Sequence, residues 1–162
     1  MKAIDRDGKR LCEFQAELFE RSVSALGMGS EVFVRRYMNS RIATELDSGA
    51  FLDGGMEIEG IFDDLDRQYG PSSYGSRKYH RDVMYWVGYL YRFFCYCYET
   101  SSKQAYKMLP LKFVASAYEP YHSLDVSQAI ERLLESKGIS FSEEETSKRG
   151  VELLRSMREK HA

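Results

Sequence analysis

The sequence contains no Cys-x-x-Cys, no His-x-x-x-His, no alternating strand pattern between hairpin turns, and no apolar run of the roughly 20 residues that span a bilayer. Each absence removes a class of protein. Without those spacings a zinc site has no signature, and cysteines at 12, 95 and 97, odd in number, suit neither a disulfide framework nor a redox pair. They read as small buried residues in a reducing compartment. No apolar segment follows the charged N-terminal residues in the manner of a secretory signal, so the expected location is cytoplasmic. A formal charge of -2 gives no global attraction to nucleic acid or to an anionic membrane. No metal and no cofactor is expected. With 162 residues, 43% of them hydrophobic, the chain suits one domain, 1-162, in which 139-162 is a loosely docked C-terminal helix.

What the sequence has in abundance is tyrosine. Eleven of its twelve tyrosines fall between Tyr69 and Tyr121, and the densest apolar and aromatic stretch, Val83 to Tyr98, carries Arg92 as its only charge. On a helix of about 100° per residue, Val83, Trp86, Val87, Leu90, Phe94 and Cys97 form one stripe without tyrosine. Tyr85, Tyr89, Arg92 and Tyr96 lie opposite. A buried phenol needs a partner for its hydroxyl, so this second face suits a boundary, and Tyr85, Tyr89, Arg92 and Tyr96 are the candidate partner-binding residues. The competing reading is a second layer of internal packing with Arg92 paired to an acid. Gly88 in the same helix permits close approach by another helix.

Around this central helix the pattern is all-α. Leu11, Phe14, Leu18, Phe19, Val23 and Leu26 define a helix from Lys9 to Leu26 that stops at Gly27-Met28-Gly29. Ser30 is the expected cap of the next helix, which Asn39-Ser40 either breaks or bends before Ile42, Ala43 and Leu46, a bend being the default. Asp53-Gly54-Gly55 marks a loop, Ile58 to Tyr69 a helix, and Pro71 to Ser76 a longer loop. Ser101 and Gln104 have capping-box spacing before a helix from Ser102 to Met108. Pro110 opens a helix from Leu111 to Tyr118. Asp125 and Gln128 repeat the capping-box spacing, Gly138 closes that helix, and Ser142 with Glu145 introduces a terminal segment with a stripe at Val151, Leu154 and Met157. The fold class is therefore a single-domain, irregular helical bundle around a central aromatic helix.

Catalytic candidates are few. His122, between Tyr121 and Asp125, has a pKa range suited to general acid or base work, and a nearby carboxylate would orient its ring. His80 precedes the aromatic helix. An enzyme or small-ligand protein would gather Tyr74, His80, Tyr121, His122 and Asp125 into one pocket. Lysines and arginines interleaved with the tyrosines raise nucleic-acid binding as a third reading, since single-strand binders stack bases on aromatics in a basic groove. Tyrosine and arginine are equally the residues of protein interfaces, and a protein-binding module is the reading preferred here.

Longer motifs carry a resemblance. Cys12-Glu13-Phe14-Gln15-Ala16-Glu17-Leu18-Phe19, Glu31-Val32-Phe33 with Arg36-Tyr37-Met38, Trp86-Val87-Gly88-Tyr89-Leu90-Tyr91-Arg92, Ser101-Ser102-Lys103-Gln104, and Tyr121-His122-Ser123-Leu124-Asp125 with Ala129-Ile130-Glu131-Arg132 stand in that order. From about Arg10 to Glu135 the chain resembles a family of small uncharacterised proteins of Clostridia and related Firmicutes, associated with neighbouring genes for toxin-like proteins of the ADP-ribosyltransferase type. The resemblance implies a non-enzymatic, antitoxin-like or accessory role with a toxin as partner. It transfers no catalytic residue.

Overall fold

A computed structural model describes residues 1–49 and 57–141. The expected loop at Asp53-Gly54-Gly55 and the terminal segment from Ser142, with Val151, Leu154 and Met157, lie outside the described residues. Those described form an all-α bundle: α1 Arg6–Ala25, α2 Ser30–Met38, α3 Arg41–Asp47, α4 Ile58–Tyr69, α5 Arg81–Cys97, α6 Ser102–Met108, α7 Leu111–Ser116, α8 Tyr118–Tyr121 and α9 Val126–Ser136. None of these helices is long and apolar enough to cross a membrane.

The architecture is organised by α1 and α5, which run antiparallel along their whole length. Lys2 N donates to Cys97 O at 2.8 Å at one end, and Gln15 Nε2 donates to Gly88 O at 2.9 Å midway. Two glycines allow this approach. A Cβ at Gly88 would stand 2.7 Å from Gln15 O and 2.8 Å from Phe19 Cγ, and one at Gly8 would stand 2.5 Å from the Tyr96 ring. The close approach foreseen for Gly88 is thus made within the chain, against α1. Asp5 starts α1 earlier than its apolar periodicity suggests, accepting from Gly8 N at 2.8 Å.

The apolar stripe of α5 packs as its spacing predicts, with Trp86, Val87, Leu90, Phe94 and Cys97 buried and Val83 half-buried. Phe19 of α1 joins this layer to α2, meeting the rings of Phe33 and Tyr37 edge-on, each at 5.3 Å. Each such fully buried side chain contributes roughly 1.5–3 kcal/mol by leaving water. Tyr91 is also enclosed, and its hydroxyl donates to Leu109 O.

Local signals set most boundaries. The Ser101–Gln104 capping box is formed, and Gly138 (φ 69°) ends α9 with Gly138 N on Glu135 O and Ile139 N on Leu134 O, the paired bonds of a Schellman turn. Four expectations need correction. Gly29, not Ser30, caps α2, because Ser30 Oγ accepts instead from Tyr79 N at 3.1 Å and so ties the 70–80 loop to the bundle. Asn39-Ser40 ends α2 rather than bending it, since Ser40 Oγ accepts from Ala43 N and starts α3. The helix from Leu111 stops at Ser116, and a separate turn, α8, follows. Asp125 does not form a capping box with Gln128; its carboxylate accepts from Ser127 Oγ at 2.7 Å.

Candidate functional site

The opposite face of α5 has a sealed half, closed over by Gln15 of α1, Asp47 of α3 and Ser102 of α6, and an open half. Arg92 lies in the sealed half, 1% exposed. Its Nη1 donates to Asp47 at 2.6 Å, its Nε to Gln15 Oε1 at 3.0 Å, and its Nη2 to Ser102 Oγ at 3.1 Å. Gln15 Oε1 also accepts from Tyr37 Oη at 2.7 Å. Asp47 takes Ser102 N at 2.9 Å and Ser102 Oγ at 2.6 Å, so it serves α6 as a remote cap as well as neutralising the guanidinium. Arg92 is therefore not a surface contact: an arginine always carries its charge, and here that charge is spent on Asp47 inside the molecule. Tyr96 is half-buried and donates to Asp5 at 2.6 Å, with Lys2 Nζ over its ring at 4.1 Å. That bond raises the Tyr96 hydroxyl to about 12 and holds the Asp5 carboxyl below its ordinary value.

Tyr85 and Tyr89 lie in the open half. Tyr85 is 38% exposed, Tyr89 is half-buried, and both line a groove of about 480 Å³ with Trp86, Tyr118 and His122. Glu20 of α1 and Asp82 of α5 supply its charge, and Val126 at the start of α9 closes one wall. Trp86 packs edge-on against Tyr118 at 5.7 Å, and Tyr118 stacks on His122 at 4.4 Å, so the far wall is continuous aromatic surface. Partial burial and then the carboxylates of Glu13, Glu20 and Glu17 raise the Tyr85 hydroxyl above its ordinary value. Trp86 is only 8% exposed, and its buried indole Nε1–H has no hydrogen-bond acceptor among the described residues.

Of the residues expected to share a catalytic pocket, the structure brings only His122 to this groove. His122 Nδ1 stands 2.7 Å from Tyr118 O and 3.2 Å from Glu119 O, and because carbonyls only accept, Nδ1 carries the proton there. Asp125 is thus not the orienting group foreseen for the ring. His80 caps α5, accepting from Asp82 N at 3.1 Å, while Tyr121 lies beneath Arg132 at 5.8 Å and Tyr74 is fully at the surface. The proposed five-residue pocket is not assembled, and among the described residues no cluster of histidine, cysteine, aspartate and glutamate could hold a metal ion.

Of the basic residues interleaved with tyrosines that raised nucleic-acid binding, Arg77 lies over Tyr79 at 5.1 Å and Arg92 is enclosed; outside that set, Arg36 covers Tyr69 at 5.5 Å and Lys137 covers Phe113 at 4.5 Å. Sequence reasoning found Tyr85 and Tyr89 through helical spacing and could have found Asp82, which stands three and seven residues before them on the same face of α5, but Glu20 and Tyr118 belong to other elements and carry no local signal. Nothing among family models, curated proteins or solved structures matches the chain.

Proposed function

We propose that the chain is a non-enzymatic protein-binding module, an antitoxin-like or accessory component that docks on a toxin protein through the groove at Tyr85 and Tyr89. The observation that carries this reading is the groove itself: an open, tyrosine- and tryptophan-lined concavity on an otherwise tightly packed aromatic helix. Tyrosine and tryptophan dominate interface hot spots because they cover large areas with few rotors and keep a polar handle. Among the described residues no serine, threonine, cysteine or lysine stands beside His122 in this groove, and its ring is held by the carbonyls of Tyr118 and Glu119 and not by a carboxylate, so the groove carries no nucleophile–base–acid triad. The Clostridial resemblance adds the direction in which to look, a toxin encoded next door.

The test is reconstitution. The purified product of the neighbouring gene is mixed with the full chain and with a Tyr85→Ser/Tyr89→Ser variant, and binding is measured by calorimetry. Loss of two hot-spot tyrosines should weaken the complex at least about tenfold, with an unchanged circular dichroism spectrum. Rescue of cells from the toxin should fall in parallel. Equal affinity of the two proteins, or no complex with the wild-type chain, would overturn the reading.

A further inference from the structure

We infer that the groove receives the guanidinium of an arginine presented by a docking segment of the protein partner, an inference that rests on the docking reading above. The groove has two kinds of wall, and each suits that group. Tyr85 and Tyr89 line the groove beside the packed Trp86–Tyr118 pair, and aromatic rings attract cations. Glu20 and Asp82 add carboxylates, and no lysine or arginine lines the groove.

The surrounding field has the same sign. Glu13 and Glu17 lie close enough to act on the Tyr85 hydroxyl, and Asp125 acts on Tyr89. Arg21, the basic residue of α1 nearest in sequence to Glu20, is committed to Glu17 at 2.6 Å and Glu59 at 3.0 Å. Elsewhere the chain covers its own tyrosines with its own cations, as at Tyr69, Tyr79, Tyr96 and Tyr121. Among the described residues Tyr85, Trp86, Tyr89 and Tyr118 have no such cover. A volume of about 480 Å³ admits one long side chain with its flanking backbone, well short of a helix or strand. Guanidinium is favoured over ammonium because its flat face stacks on a ring while its edge donates in a fork to a carboxylate.

Trp86 is the only tryptophan in the sequence, so the groove carries its own reporter. The full chain is titrated with an acetylated, amidated Gly-Gly-Arg-Gly-Gly peptide, with the same peptide carrying citrulline, which keeps the shape without the charge, and with ethylguanidinium alone. Trp86 fluorescence and the single indole N–H resonance are followed. The arginine peptide should saturate, binding about threefold to thirtyfold more tightly than the citrulline peptide, the range that cation–π contacts supply. In a Glu20→Gln/Asp82→Asn variant that advantage should fall, since the carboxylates are lost while the rings remain, and in wild type it should shrink as salt is raised. Equal binding of the two peptides, an advantage undiminished by the double substitution, or ethylguanidinium saturating at the peptide's own concentration would each overturn the assignment. If the arginine peptide fails while the tyrosine variant still loses the reconstituted partner, the arginine assignment falls and the docking reading stands. If the peptide succeeds but the tyrosine variant keeps the partner, both fall.

Discussion

Removing either member of the Arg92–Asp47 pair should destabilise the protein, and the two removals should differ in a definite order. Arg92→Met takes away three hydrogen bonds, yet two of the three acceptors keep another donor: Gln15 Oε1 retains Tyr37 Oη, and Asp47 retains Ser102 N and Ser102 Oγ, while Ser102 Oγ loses its donor and keeps its own bond to Asp47. The side chain of Asp47 is also 16% exposed, so its charge reaches water. With methionine filling most of the vacated volume, the expected loss is about 1–3 kcal/mol. Asp47→Ala is worse. It leaves a cation that cannot give up its proton enclosed without a counter-charge, and it strips the remote cap from Ser102 N. The expected loss is about 3–5 kcal/mol, or roughly 6–20 °C in Tm for a chain of this size. Urea unfolding followed by Trp86 fluorescence and by helical circular dichroism gives both values, and coincidence of the two probes licenses the comparison. If Asp47→Ala costs less than Arg92→Met, or if neither costs more than about 0.5 kcal/mol, the level of an ordinary surface substitution, Arg92 is not a buried ion and the account of the sealed half fails. The same reasoning disqualifies Arg92→Glu as a probe of partner binding, since it sets a second carboxylate against Asp47 and reports on folding alone.

Other consequences follow from the packing and the protonation states. Gly88→Ala should cost about 1–3 kcal/mol, because its Cβ meets backbone at Gln15 O, whereas Gly8→Ala, which meets the movable Tyr96 ring, should cost less; chemical denaturation ranks them, and the reverse order would disprove the close contact of α1 with α5. Glu99 sits at φ 53°, in the left-handed turn that ends α5 with Thr100 N on Cys95 O, so Glu99→Gly should stabilise by about 0.5–1 kcal/mol. A lower denaturation midpoint would show that the carboxylate does something at that turn. Burial pushes the thiols of Cys12 and Cys95 from 9.0 to about 12, and the hydroxyl of Tyr37 from 10.0 to about 12. Above pH 9 the unfolded chain therefore sheds protons that the folded chain retains. Stability owed to these groups is complete below pH 9 and declines between pH 9 and about 12, by at most about 1.4 kcal/mol per pH unit for each group. Urea midpoints that stay level up to about pH 11 would contradict that burial.

Much of the bundle was legible because its signals are local. The apolar spacing of α1, α4 and α5 repeats every three or four residues and the Ser101–Gln104 box acts within one turn, so both are read locally, although burial against other helices is what enforces the spacing. Gly138 is likewise a local signal. At Ser30 reading failed because a distant group intervened, Tyr79 N drawing off its hydroxyl. Two local signals were underweighted: Ser127, two residues on, took the carboxylate of Asp125 meant for a cap, and Ser40, able to accept from Ala43 N, favours a new helix over a bent old one.

By itself the sequence determined that Tyr85, Tyr89, Arg92 and Tyr96 share one side of α5, because a period of about 3.6 residues leaves no choice. Which of them meets water was decided only in three dimensions. Asp47 and Ser102 reach Arg92 from α3 and α6, separated from it by 45 and 10 residues, and their fit seals the middle of that face. One turn away, α1 supplies Glu20 and the α8 region supplies Tyr118, leaving Tyr85 and Tyr89 in a groove. Helical periodicity is a property of the backbone and repeats along the chain. Enclosure of a charge depends on counter-charges from remote segments arriving together, and only the packed structure brings them there.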